Sequence, residues 1–100
     1  MKKSLINTLK EYFSTQPIER AWLFGSVSRG DDTPQSDVDI LVKFDYNQKV
    51  GLFKHASMIS DLEDLLKRSV DLVSEGSLFP WVKESVDKDK ILIYERETPR

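Results

Sequence analysis

Polar and apolar positions alternate in two rhythms along the chain. Leu5, Ile6, Leu9, Tyr12 and Phe13 recur at helical spacing, which predicts an amphipathic helix from Lys2 to about Thr15, ended by Pro17. Arg20–Phe24 (RAWLF) reads as a short strand stopped by Gly25, and Gly30–Ser36 (GDDTPQS) is turn chemistry throughout. Val38–Phe44 (VDILVKF) is the clearest strand, followed by a loop from Asp45 to Gln48. Leu52, Ala56, Ile59, Glu63 and Leu66 trace a stripe that Phe53, Leu62 and Leu65 widen, so a helix is expected from about Lys49 to Lys67. Val70–Ser74 (VDLVS) is a further strand, and Pro80 suits the first turn of a helix running to about Asp87. Ile91–Glu95 (ILIYE) reads either as a last short strand or as a frayed helix end, and Glu95–Arg100 as a tail. This alternation predicts an α/β (α+β) fold, a small mixed sheet covered by helices, in one domain spanning residues 1–100. The unbroken apolar run Ile40-Leu41-Val42 places its strand centrally, covered on both faces.

Composition narrows the function classes. With 39% hydrophobic and 32% charged residues, the chain is expected to fold rather than remain disordered. A net charge of -2 gives no broad electrostatic grip on nucleic acid, so direct nucleic-acid binding is not expected. The absence of cysteine removes disulfides, thiol catalysis and cysteine metal sites. Lys2 and Lys3 are followed by no long apolar segment, so neither a signal peptide nor a membrane span is expected, and the expected location is the cytoplasm.

The chemistry concentrates in Gly25–Val42, GSVSRGDDTPQSDVDILV. Strand side chains alternate with period two, so Asp37 and Asp39 share one face while Val38 and Ile40 share the other. Two like charges at the head of a buried strand repel, and burying them unpaired costs several kcal/mol or forces one to hold a proton. A divalent cation removes the conflict, and Mg²⁺ favours one or two protein carboxylates completed by substrate phosphates. Asp71 lies inside another apolar strand, where an ionised residue is costly without a partner. If the two strands are neighbours, Asp71 joins the pair, and three carboxylates can hold one or two metal ions for an in-line phosphoryl displacement. Gly25 lets the backbone approach a ligand. A short helix beginning near Ser26 would turn free N–H groups toward phosphate, with the Ser26 hydroxyl as a further donor. Arg29 can meet a phosphate oxygen in forked geometry.

Taken singly, each feature has a plainer meaning. An Asp-x-Asp is more often a solvated strand edge or a cap, and a Gly-Ser is usually a turn. Asp71 alone fits a turn cap or a partner of Arg68 or Lys67, and Arg29 alone a solvated surface residue. The conjunction outweighs these readings. His55, the single histidine, fits a helix surface or boundary and supports no catalytic triad. Asp31 and Asp32 read as solvated turn residues beside the site. Trp22 and Trp81 read as core or edge packing, Tyr12, Tyr46 and Tyr94 as packing, and Asp61, Glu63 and Asp64 as a polar helix face.

On Phe24–Gly30 (FGSVSRG), Ser36–Val42 (SDVDILV) and Val70–Val73 (VDLV), with ten residues between Ser26 and Asp37, the chain resembles the nucleotidyltransferase superfamily of DNA polymerase beta type. It most resembles the minimal nucleotidyltransferases of bacteria and archaea, and the resemblance covers the whole chain. It implies the nucleotidyltransferase fold. It also implies Gly25, Ser26, Arg29 and Ser36 at the nucleotide and Asp37, Asp39 and Asp71 as Mg²⁺ ligands and catalytic residues. Asp71 then helps bind the catalytic metal and draws the proton from the attacking hydroxyl. Ser28 stands where many relatives have Ala.

The implied reaction moves a nucleoside monophosphate, AMP from ATP, to a hydroxyl with loss of pyrophosphate. Larger relatives hold the acceptor on a second domain, for which no residues remain here. The implied partner is a small helical HEPN-type toxin, modified on a tyrosine, with this chain as its antitoxin. The alternative is a catalytically idle nucleotide-binding module that neutralises or regulates a partner by contact. A transferase for a small-molecule acceptor is disfavoured, because such a pocket normally needs more chain.

Overall fold

The computed structural model describes residues 2–45 and 47–96. Tyr46 and residues 97–100 of the expected tail lie outside the described residues, but the start of that tail is tied down: Glu95 belongs to a strand and Arg96 Nη1 donates to Asp45 at 2.7 Å. Helix α1 (Lys2–Phe13) leads into β1 (Ile18–Phe24), the short helix α2 (Gly25–Arg29) and β2 (Val38–Phe44). Then come α3 (Leu52–Leu66), β3 (Val70–Ser74), a single 3₁₀ turn (Glu75–Ser77), α4 (Pro80–Asp89) and β4 (Ile91–Glu95). Both readings of ILIYE thus resolve to the strand. Pro80 opens α4 as expected, because its missing N–H is one the first helical turn leaves unpaired anyway.

The four strands form one mixed sheet in the order β3-β2-β1-β4. β1 runs antiparallel to β2 and β4. β2 and β3 are parallel, which requires a crossover, and α3 supplies it. The crossover sets the two strand beginnings side by side. It is closed tightly at Lys67, whose left-handed backbone (φ 56°) caps α3 through an N–H to the Glu63 carbonyl. The Val70 N–H then donates to Glu63 Oε2 at 3.0 Å.

On one face of the sheet, Ala21, Leu23, Ile40 and Val42 pack under Leu9 and Phe13 of α1 and Met58 and Leu62 of α3. On the other, Trp22 and Leu41 meet Val86 of α4 in a smaller cluster. Ile40, Leu41 and Val42 are all buried, so β2 is central and covered on both faces as expected.

Helix α3 departs from its expected stripe. It begins at Leu52 rather than Lys49, and its buried residues are Met58 and Leu62. Leu52 and Phe53, in the first turn of α3, are 86% and 94% exposed. The apolar count in that turn was therefore a poor guide to its inward side. Trp81 also corrects the expectation of packing: it is 70% exposed and stacks on Phe79 with ring centroids 4.9 Å apart. Asp45, expected simply in a loop, is buried at the back end of β2.

Candidate active site

The site is assembled by strand register. Phe24, the last residue of β1, is opposite Asp39, and Asp39 is opposite Asp71 of β3. The neighbour relation needed to bring Asp71 to the pair is therefore met. Gly25, directly after Phe24, has a left-handed backbone (φ 72°), and a Cβ built there would collide with the Asp39 carboxylate Oδ2. Glycine is required on two counts: the backbone conformation disfavours any other residue, and the space is taken. The backbone of Gly25 thus sits directly against a carboxylate.

Phe24 enters α2 in extended conformation and makes no side-chain cap, so the first N–H groups of this five-residue helix have no such acceptor. Ser28 closes the turn, its hydroxyl donating to the Gly25 carbonyl at 2.7 Å. Gly30, also left-handed (φ 79°), ends the helix.

Asp39 is half-buried, and its pKa lies above the usual carboxylate range. Burial is the main cause, followed by the negative charges of Asp71 and Asp37, with Arg29 partly offsetting them. Asp37 and Asp71 thus act electrostatically on Asp39, while both are themselves exposed rather than buried as their strand positions suggested. Among the described residues, no three His, Asp or Glu side chains are gathered tightly enough to enclose a metal ion. Mg²⁺ takes few protein carboxylates and leaves the remaining positions to water and phosphate. The chemistry of the donor set fits the ion: hard oxygen ligands, and a half-buried carboxylate repelled by two others and without a hydrogen-bond donor among the described residues.

Arg29 is not simply a solvated surface residue. Its Nη1 donates to Asp89 Oδ2 at 2.7 Å and its Nε to Asp31 Oδ2 at 3.3 Å. Ser36 holds the turn ahead of Asp37, its Oγ accepting from the Thr33 N–H at 2.9 Å. Arg68 does not pair with Asp71. Its Nη2 donates to Asp32 Oδ2 at 3.1 Å and to the carbonyls of Thr33 and Ser36, both at 2.9 Å. This clasp ties the Asp32–Ser36 loop to the start of β3, and Asp32 is accordingly ion-paired rather than freely solvated.

Neither Arg68 nor Asp89 was marked as a site neighbour by the sequence. Arg68 was weighed only as a partner of Asp71, and Asp89 is 60 residues from Arg29. His55 behaves as a boundary residue. Its Nε2 lies 2.8 Å from the Leu72 carbonyl, and because a carbonyl can only accept, Nε2 carries the proton. A cavity of about 590 Å³ is lined by Leu5, Val27, Pro34, Leu65 and Arg68, and none of the three aspartates lines it. The carboxylates face an open surface instead.

The family model described as Polymerase beta, Nucleotidyltransferase matches residues 7–99. The chain belongs to the polymerase beta nucleotidyltransferase family. A Methanocaldococcus jannaschii protein, named provisionally as a protein adenylyltransferase, is 37% identical over 86 residues, 85% of this chain and 83% of that protein. Protein adenylyltransferase MntA of Thermococcus cleftensis is 35% identical over 85 residues, 85% of this chain and 81% of its own length. A solved structure described provisionally as a minimal nucleotidyltransferase superposes with a TM-score of 0.75 at 34% identity, covering 89% of both chains. A chain of the complex between the tri-AMPylated Shewanella oneidensis HEPN toxin and MNT antitoxin has a TM-score of 0.74 at 19% identity. That match covers 96% of this chain and 74% of the other, and shows a shared fold.

Proposed function

We propose that this nucleotidyltransferase moves AMP from ATP, with Mg²⁺, to a tyrosine hydroxyl of a small helical HEPN-type partner in the cytoplasm, and so acts as the partner's antitoxin. One observation carries the reading: Asp39 lies opposite Asp71 with the Gly25 backbone against its carboxylate. Phosphate, carboxylate and acceptor can meet there without a side chain in the way. The names of the relatives support the transferred group and a protein acceptor, and the shared fold with a toxin–antitoxin complex supports the partner class.

In this reading the first N–H groups of α2 and the Ser26 hydroxyl hold the triphosphate, and Arg29 adds a cationic donor. Asp37, Asp39 and Asp71 would hold Mg²⁺, which when bound neutralises phosphate charge and polarises the reacting oxygens. The acceptor oxygen forms a bond to the α-phosphorus as the bond to the bridging oxygen breaks, and pyrophosphate leaves with that electron pair. Asp71 takes the hydroxyl proton.

The test is to purify the chain with its native partner, add ATP and Mg²⁺, and weigh the partner. A gain of one or more whole adenosine monophosphates, lost when Asp71 is changed to Asn, is expected. A partner that stays bound, silenced and unmodified would make this chain a contact-only binding module.

A further inference from the structure

The ion pair between Arg29 and Asp89 joins the last residue of α2 to the last residue of α4. It is poorly explained as a stabilising contact. The two side chains are 47% and 28% exposed, a setting in which ion pairs add little. Asp is a weak helix former, and a negative charge at a helix C-terminus opposes the helix dipole. An aspartate at that position therefore works against α4.

Its contribution lies instead in what it does to the guanidinium. Asp89 takes Nη1 and Asp31 takes Nε, so two of the three nitrogens of a rigid planar group are fixed from different sides. Nη2 has no partner among the described residues. The same guanidinium acts electrostatically on Asp39, which places its charge within range of the carboxylate cluster. The more exposed Asp31, at 62%, and its longer 3.3 Å contact make it the weaker of the two holds.

We propose that Asp89 is a positioning residue for nucleotide binding: it anchors Arg29 from the end of α4 and leaves Nη2 to a phosphate oxygen. The inference rests on the reading that Arg29 contacts the triphosphate. A guanidinium held in advance loses less freedom on meeting phosphate, so removing the anchor weakens binding although Asp89 never touches the ligand. The sign is informative. A carboxylate that merely competed with phosphate for Arg29 would, on removal, tighten nucleotide binding.

The experiment titrates ATP–Mg²⁺ into the wild-type chain, Asp89→Ala, Asp89→Glu, Arg29→Ala and the Asp89→Ala/Arg29→Ala double variant, with a melting curve for each. Asp89→Ala is expected to weaken ATP–Mg²⁺ about 10-fold, the scale of other supporting-group losses, with a melting temperature close to wild type. Asp89→Glu should recover most of the affinity. On the Arg29→Ala background, Asp89→Ala should change nothing further, since its only route to the ligand is gone. Wild-type affinity in Asp89→Ala, tighter binding, or an equal loss on both backgrounds would overturn the positioning role while leaving the proposed function standing. Equal binding by wild type and Arg29→Ala would remove Arg29 from the phosphates and the proposal with it. A wild-type chain that fails to bind ATP–Mg²⁺ would overturn the functional reading itself.

Discussion

Strand β2 has an aspartate near each end, and the fold treats the two in opposite ways. Asp45, just past the back end, is buried and fully served. Gln48 Nε2 donates to it at 3.0 Å, the Asn47 N–H at 3.0 Å and Arg96 Nη1 at 2.7 Å. Those donors, Gln48 first, hold its carboxyl below the usual range. Asp39, one residue inside the front end, is half-buried with two more aspartates close by, and its carboxyl is pushed above that range. One residue type thus meets opposite surroundings: at the back it clasps the chain after β4 to the β2 end, and at the front it stands against two like charges. A buried carboxylate marks a site when its partners are missing, not when it is merely buried.

The largest effect should come from jamming the front end. Gly25→Val forces a β-branched residue into a left-handed backbone and drives its Cβ into Asp39. The fold should lose about 2 kcal/mol or more, and ATP–Mg²⁺ binding should vanish, as thermal melting and titration would read. Normal binding would reduce Gly25 to a turn residue. A smaller loss should follow from releasing the loop that leads to Asp37. Arg68→Met leaves Asp32 and two carbonyls unserved, costing about 2 kcal/mol. Nucleotide affinity should fall several-fold while the back end is untouched.

The smallest effect is the pH dependence of apo stability, where the two aspartates have opposite signs. As pH falls toward about 4, folded Asp39 takes up its proton before an unfolded aspartate does, so its contribution rises. Below that, an unfolded aspartate is protonated before folded Asp45, so Asp45's contribution is lost. Subtracting the Asp39→Asn and Asp45→Asn stability curves from wild type should isolate slopes of opposite sign. Slopes of the same sign would end the comparison.

What could be read in the sequence divides along the same line. The elements were legible because β2 and β3 are short apolar runs between turn residues, and the aspartates were legible because a charge inside such a run is out of place. Features made by residues distant in sequence were not. Nothing in the pattern says that Arg96 reaches Asp45, that Arg29 reaches Asp89, or that Arg68 selects Asp32 over Asp71. Surface charges are abundant and interchangeable in a pattern, and only the fold selects the pairs. Trp81 and Phe53 failed for the converse reason: large apolar residues are usually buried, and periodicity does not reveal which of them the fold leaves exposed.

The central claim is that the front-end carboxylates are held for a cation and a nucleotide, at a cost to the empty fold. It is tested most directly by the melting temperatures at neutral pH of wild type and Asp39→Asn, each alone and with ATP–Mg²⁺. The prediction is that empty Asp39→Asn melts at or above wild type, because repulsion from Asp71 and Asp37 is relieved, and that ATP–Mg²⁺ raises the wild-type value but not the variant's. An empty Asp39→Asn that melts well below wild type, as Asp45→Asn should, would mean that Asp39 is a structural acceptor, and the account of the site would be wrong.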